Sequence, residues 1–178
     1  MDLNLTLRKL GYVPVAVIDN VDDAVPLAEA LIAGGISSIE VTLRTGAGLA
    51  SIKAIARSGL PILVGVGTVT LADQVAQCVD AGAKFAVCPG YTTAVGEACL
   101  KASLPLLPGA VTPSEVLNCL DAGFAVQKFF PAPAAPERMA RFIRSSSAHP
   151  ISLENRRCRK GTSATEVSSA SGWNVRCN

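Results

Sequence analysis

The spacing of apolar residues in one stretch indicates the fold of the chain. That stretch, residues 38–68, reads SIEVTLRTGAGLASIKAIARSGLPILVGVGT. It contains two short apolar runs, residues 38–43 and 60–66, separated by a segment with apolar residues at helical spacing, residues 49–57. Short apolar runs that alternate with amphipathic helical segments are typical of parallel strands joined by helices. The stretch therefore predicts one strand–helix–strand unit.

The same alternation recurs along the chain and predicts a barrel. Further strands are predicted at residues 13–18, 85–88, 104–107 and 125–130, and further helices at residues 22–33, 71–81, 93–102, 113–122 and 136–143. Such units form either a closed barrel or an open doubly wound sheet. A dinucleotide-binding sheet requires G-x-G-x-x-G after its first strand, where this chain has Asp19-Asn20-Val21-Asp22. We therefore expect a (β/α)8 barrel of the TIM type, with six recognisable strand–helix units.

The composition excludes several classes of protein. Of the 178 residues, 49% are hydrophobic and 17% are charged, which excludes a disordered chain. The net charge of +2 argues against nucleic-acid and membrane-surface partners. No run approaches the ~20 apolar residues of a membrane-spanning helix. Residues 1–10 lack the order of a signal peptide, so we expect a cytoplasmic protein.

The cysteines and the single histidine predict neither disulfides nor a metal site. The six cysteines form no C-x-x-C pair, and Cys78, Cys99 and Cys119 fall in helical segments among apolar neighbours. This arrangement favours buried free thiols in a reducing compartment. His149 is the only histidine, whereas a structural zinc site needs about four ligands. We therefore expect neither a structural zinc site nor a histidine-based catalytic dyad.

Polar side chains collect on the predicted strand at residues 38–43. Glu40, Thr42 and Arg44 alternate with apolar residues, so they share one face of the strand. If the apolar face meets the helices, a carboxylate, a hydroxyl and a guanidinium point into the barrel, where active sites form at the carboxyl ends of strands. The alternative is an internal Glu40–Arg44 ion pair that only stabilises the barrel.

Lys128 is the lysine best placed for chemistry, because it lies within a strand-like run, VQKFFP at residues 126–131. Burial in a strand disfavours the charged ammonium and leaves a neutral amine that can attack a carbonyl. A snorkelling or ion-paired lysine is the alternative.

Other strand ends add weaker candidates. Thr68 offers a hydroxyl after the third strand, and residues 88–90 and 107–109, which both end in Pro-Gly, are predicted to form tight turns. Cys88 could act as a nucleophile, but no histidine at a strand end is present to activate it, so packing is favoured.

Taken in order, these motifs resemble the 2-keto-3-deoxy-6-phosphogluconate/4-hydroxy-2-oxoglutarate (KDPG/KHG) aldolases. The motifs are EVTLRT at residues 40–45, VGVGT at 64–68, CPG at 88–90, LPG at 107–109 and KFFP at 128–131, and the resemblance covers roughly residues 10–143. It implies a metal-free class I aldolase on a (β/α)8 barrel, a homotrimer that binds a small-molecule 2-keto acid.

The resemblance also implies roles for individual residues. Lys128 matches the lysine that forms a Schiff base with the keto carbon, and Glu40 matches the general acid/base that moves protons through water. Four residues match the substrate-binding groups: Arg44 and Thr68, which hold the pyruvate carboxylate, and Pro89 and Phe130, which lie nearby in the pocket. A protonated imine accepts the electron pair left by carbon–carbon cleavage, which explains the need for a lysine.

The resemblance ends after Ile143. The family continues with a strand ending in a Gly-Gly phosphate loop and another ending in Gly-Gly-Ser-Trp, whereas residues 149–155 here read HPISLEN. Residues 1–144 carry 11 basic and 12 acidic side chains (net −1), and residues 145–178 carry 5 and 2 (net +3). We therefore interpret residues 1–144 as barrel units 1–6 and residues 145–178 as an aberrant, poorly ordered tail left by a deletion and a frameshift. A basic nucleic-acid arm is the less favoured interpretation.

The expected reaction is cleavage of KDPG to pyruvate and glyceraldehyde 3-phosphate, with cleavage of 4-hydroxy-2-oxoglutarate to pyruvate and glyoxylate as a second activity. Without the Gly-Gly loop, affinity for the phosphorylated substrate should fall more than affinity for the non-phosphorylated one. The alternatives are a galactonate-series aldolase of the same family and an inactive remnant of the family.

Overall fold

A computed structural model describes residues 3–131 of the chain. The strands are β1 (Val15–Ala16), β2 (Ser38–Thr42), β3 (Leu63–Gly67), β4 (Ala86–Cys88), β5 (Leu106–Ala110) and β6 (Lys128–Phe129). The α-helices are α1 (Leu3–Leu10), α2 (Ala24–Ala33), α3 (Gly48–Arg57), α4 (Gln74–Asp80), α5 (Thr93–Lys101) and α6 (Pro113–Asp121), and a 3-10 turn at Val21–Asp23 precedes α2. No helix among these is long and apolar enough to cross a membrane.

The order of the strands confirms the predicted barrel arrangement. All six strands are parallel, and they pair in chain order from β1 to β6. A doubly wound sheet would instead reverse its strand order at a switch point. A helix follows each of the strands β1 to β5 before the next one begins, as in the units of a (β/α)8 barrel.

Several details differ from the prediction, among them the last strand, which covers Lys128–Phe129 rather than residues 125–130. The first strand covers Val15–Ala16 rather than residues 13–18, and α1 was not predicted. Residues 107–109 lie inside β5 rather than in a turn. Proline cannot donate to a strand ladder, which is why the sequence indicates a turn there. The predicted helix at 136–143 and the tail at 145–178 lie outside the described residues.

Two apolar clusters fill the space on either side of the sheet. The larger lies between the strands and helices and includes Ile39 and Val41, which are fully buried. The smaller consists of Phe85, Val87 and Leu107, and two leucines of α1, Leu3 and Leu7, pack against it. Since Glu40 and Thr42 alternate with Ile39 and Val41, their side chains are on the face away from the helices. Because Leu3 and Leu7 pack against the smaller cluster on that same face, helix α1 covers the amino end of the barrel interior.

Four cysteines of the described region are free and buried: Cys78, Cys88, Cys99 and Cys119. This confirms the predicted buried thiols, while Cys158 and Cys177 lie outside the described residues. Burial raises the pKa of Cys78 to about 11 and the pKa values of Cys99 and Cys119 to about 12. The thiols therefore stay protonated in the folded protein at neutral pH.

These thiols should make the protein less stable at alkaline pH. Their pKa values exceed the ordinary 9.0, so their contribution to stability is complete below about pH 9 and is lost as the pH rises toward 11 to 12. Urea unfolding measured between about pH 8 and about pH 10.5 should show this decline. A C78A/C99A/C119A variant should decline less steeply, and equal slopes for the two proteins would contradict the explanation.

Candidate active site

The structure brings Lys128 and Glu40 together inside the barrel. Lys128 Nζ lies 3.6 Å from Glu40 Oε1, and the two residues are 9% and 4% exposed. Strands β6 and β2 are not neighbours in the sheet, so the side chains meet across the interior. Glu40 therefore forms an ion pair with Lys128 across the interior.

Strand pairing holds the backbones of both residues in place. Glu40 pairs with Val15 of β1 and with Gly65 of β3, so β2 is fixed on both sides. Lys128 pairs with Gly109 of β5. The ladders fix where each side chain leaves the backbone and so place the amine and the carboxylate within reach of each other.

Phe130 and Pro89 lie beside this pair. The Lys128 Nζ is 5.0 Å from the centre of the Phe130 ring, a distance at which an aromatic face attracts a cation. A cavity of about 200 Å³ at the carboxyl ends of β4, β5 and β6 is lined in part by Pro89, Gly109 and Phe130. Phe130 thus lies against both the lysine amine and the cavity, which Lys128 and Glu40 themselves do not line.

Arg44 lies beyond the end of β2, so strand alternation does not decide which way its side chain points. Strand β2 ends at Thr42, so Arg44 lies in the following turn, where its side chain is exposed. The alternation of inward and outward side chains applies only while the chain remains a strand. Arg44 is consequently at the rim, two residues beyond the strand end.

Thr68 follows β3 directly and has a strained backbone. Its φ is 62°, in the left-handed region that branched residues rarely adopt. Hydrogen bonds on both sides hold it there: Leu43 N–H donates to the Gly67 carbonyl at 2.9 Å, and Val69 N–H donates to the Val87 carbonyl at 3.2 Å. Such strain is common at binding sites.

Cys88 is part of the larger apolar cluster between the strands and the helices. Desolvation raises the pKa of its thiol, although hydrogen bonds from the backbone of Gly109 and Gly90 partly oppose this effect. A protonated, 1% exposed thiol is a poor nucleophile, which supports the packing interpretation.

The alternation in the sequence predicts that Thr42 lies on the inward face, but it indicates no role for the residue. Thr42 is fully buried, and its Oγ1 has no hydrogen-bond partner among residues 3–131.

Within residues 3–131, no group of three or more His, Cys, Asp or Glu side chains could hold a metal ion.

Comparison with known proteins points to one family. A model of the KDPG and KHG aldolase family matches residues 3–142. The 2-dehydro-3-deoxy-phosphogluconate aldolase of Pseudoalteromonas atlantica is 50% identical over 123 residues, which are 69% of this chain and 57% of that protein. This chain thus spans less than two thirds of the length of that curated relative.

Solved structures agree with this result. The 2-keto-3-deoxy-6-phosphogluconate aldolase of Zymomonas mobilis, solved with 3-phosphoglycerate, superposes with a TM-score of 0.79 and 35% identity, covering 85% of this chain and 73% of that one. The KDPG aldolase of Legionella pneumophila, with pyruvate captured as a covalent carbinolamine, gives 0.76 and 39%, covering 79% and 69%. These matches confirm the TIM-barrel type of fold.

Breaking the Lys128–Glu40 pair should destabilise the protein, because the remaining charge stays buried. We expect K128M and E40Q each to lower the free energy of unfolding by about 3 kcal/mol, and the double variant to lose less than the sum. Urea unfolding of the four proteins measures this coupling. The control is the same four-protein comparison at Glu97 and Lys101, which are exposed on α5. There the coupling energy between the two substitutions should be about 0.5 kcal/mol or less. Additive losses at Lys128 and Glu40 would contradict the pairing.

Proposed function

This chain belongs to the KDPG and KHG aldolase family, and we propose that it is a class I aldolase acting through an imine on Lys128. The observation that carries the proposal is the approach of Lys128 Nζ to within 3.6 Å of Glu40 Oε1 in the barrel interior. The covalent carbinolamine of the related Legionella protein supports it. A nucleophilic amine beside a carboxylate supplies both groups that imine formation needs.

The first step joins Lys128 to the substrate. The neutral amine adds to the C2 carbonyl carbon of the keto acid, and the carbonyl oxygen takes up a proton to give a carbinolamine. Loss of water from the carbinolamine then leaves a protonated imine. In this proposal Glu40 first takes a proton from the Lys128 ammonium and returns it to the departing oxygen as water leaves. The proton that the nitrogen loses after addition passes to the carbonyl oxygen, directly or through water.

The second step breaks the bond between C3 and C4. Glu40 removes the proton of the C4 hydroxyl, C4 becomes an aldehyde carbon, and the electron pair of the broken bond moves into the protonated imine to form an enamine. Protonation at C3 and addition of water then release pyruvate and the free Lys128 amine. The imine makes cleavage possible because it accepts that electron pair.

Arg44 and Thr68 are proposed to hold the substrate carboxylate. The exposed guanidinium at the rim can offer two parallel donors to a carboxylate, and Thr68 lies at the strained end of β3. Pro89 and Phe130 would contact the substrate from the cavity that they line. Such contacts orient the keto carbon toward the amine.

We propose KDPG as the substrate, with 4-hydroxy-2-oxoglutarate as a second one. The family description names both aldolase activities, and the Pseudoalteromonas and Zymomonas proteins are named for the gluconate-derived substrate. These names favour that substrate over the galactonate series. We retain the division at residue 144 and expect the phosphorylated substrate to be bound less tightly than in full-length relatives.

We further propose a cytoplasmic homotrimer without a cofactor. The free thiols of the described region suit a reducing compartment. Exposed apolar side chains on α5 and α6, Leu100 at 60% and Leu117 at 58%, supply surface that association would cover.

Borohydride trapping tests the central step. The chain is incubated with pyruvate and borohydride, digested and mapped by mass spectrometry, and we expect one reduced pyruvate on Lys128 because its amine forms the imine. K128M should give no adduct, while K84M, which changes an exposed lysine, should label like the unaltered chain. No adduct, with a full-length relative labelled in parallel, would favour the inactive alternative.

Arg44 should control affinity for the keto acid. Removing a charged hydrogen bond to the carboxylate should raise the half-saturating pyruvate concentration for trapping by about tenfold to a hundredfold in R44Q. R57Q, which changes an exposed arginine in the last turn of α3, is the control. Equal pyruvate dependence for R44Q and R57Q would remove Arg44 from the site.

A further inference from the structure

The inward face of β3 has two positions without a side chain, Gly65 and Gly67. A methyl group at Gly65 would overlap the ring of Phe85, which is fully buried. A methyl group at Gly67 would meet Glu40, at 2.7 Å from Cδ, 2.8 Å from Cγ and closer still to Oε1. The Glu40 side chain therefore lies in the space that a side chain at residue 67 would occupy.

We infer that Gly67 is a positioning residue, whose missing side chain lets the Glu40 carboxylate reach Lys128. The three atoms nearest to an added methyl all belong to Glu40, and φ at Gly67 lies outside the left-handed region. Alanine at this position would thus suit the backbone and conflict with Glu40. The catalytic consequence of this inference rests on the proposed function.

Neither backbone can move aside to relieve that conflict. Gly67 pairs with Thr42 of β2, and its carbonyl accepts a hydrogen bond from Leu43 N–H at 2.9 Å. Glu40 is fixed between β1 and β3. Because both backbones are held, a methyl at residue 67 would displace the Glu40 carboxylate and move Oε1 away from its position 3.6 Å from Lys128 Nζ.

Melting temperatures of four proteins, with and without G67A in the Glu40 and E40A backgrounds, test the contact itself; we call this comparison the stability cycle. In the protein with Glu40 we expect G67A to lower the melting temperature by about 5 °C or more, and in an E40A background by less than about 2 °C, because E40A removes the atoms that clash. G46A is the matched control: a methyl at Gly46 meets nothing within 4 Å, and the melting temperature should stay unchanged. Equal losses for G67A in both backgrounds would overturn the inference.

A G67A protein that fails to fold is also informative. In that case the G67A/E40A protein decides: folding like E40A alone supports the inference, and failure of the double variant to fold overturns it.

Trapping kinetics test the catalytic consequence. With pyruvate and borohydride, G67A should lower the labelling rate of Lys128 at saturating pyruvate by about tenfold or more and change the half-saturating concentration by less than about threefold. The same substitution in the E40A background should change the rate by less than about twofold, and G46A should label like the unaltered chain. A merely structural effect of G67A would lower the rate in both backgrounds.

The two proposals fail in different ways. If the unaltered chain gives no adduct, the aldolase proposal fails and the stability cycle alone decides the role of Gly67. If the unaltered chain is labelled and G67A is labelled at the same rate, the role of Gly67 fails and the aldolase proposal stands.

Discussion

The site depends on a single electrostatic pair, Lys128 and Glu40, held across the barrel interior at 3.6 Å. Taking an ammonium and a carboxylate out of water is costly unless they meet with good geometry. A parallel barrel can supply that geometry because β2 and β6 approach the same interior from different walls. Each residue is anchored by a strand ladder, so the arrangement depends on the register of the sheet and little on flexible loops.

The interior is divided into a polar end and an apolar end. Glu40, Thr42 and Lys128 are buried polar residues of the inward face, and Phe85, Val87 and Leu107 form the apolar layer that α1 covers. A charge placed in the apolar layer would lack both water and a partner. The chemistry is therefore confined to the end of the barrel where the strands terminate and a cavity opens.

The sequence predicts the parts of this site that depend on local pattern. Lys128 was identifiable because a lysine inside a strand-like run is unusual, and Glu40 because it alternates with apolar residues. For Arg44 the alternation gives no guidance, because the strand ends two residues earlier, at Thr42. The positive φ of Thr68 and the contact between Gly67 and Glu40 depend on neighbouring strands, so no local pattern indicates them. The sequence does not predict helix α1, because a helix of 8 residues forms only through its tertiary contacts.

The position of α1 has a consequence for how the chain acquires its structure during synthesis. Leu3 and Leu7 pack against Phe85 and Leu107, which are translated about 80 to 100 residues later, or several seconds at ordinary rates of translation. Until then α1 has no surface to bind, and a helix of this length is not stable alone. Helix α1 is therefore translated well before it can dock, and it covers the amino end of the barrel only after β4 and β5 have been made.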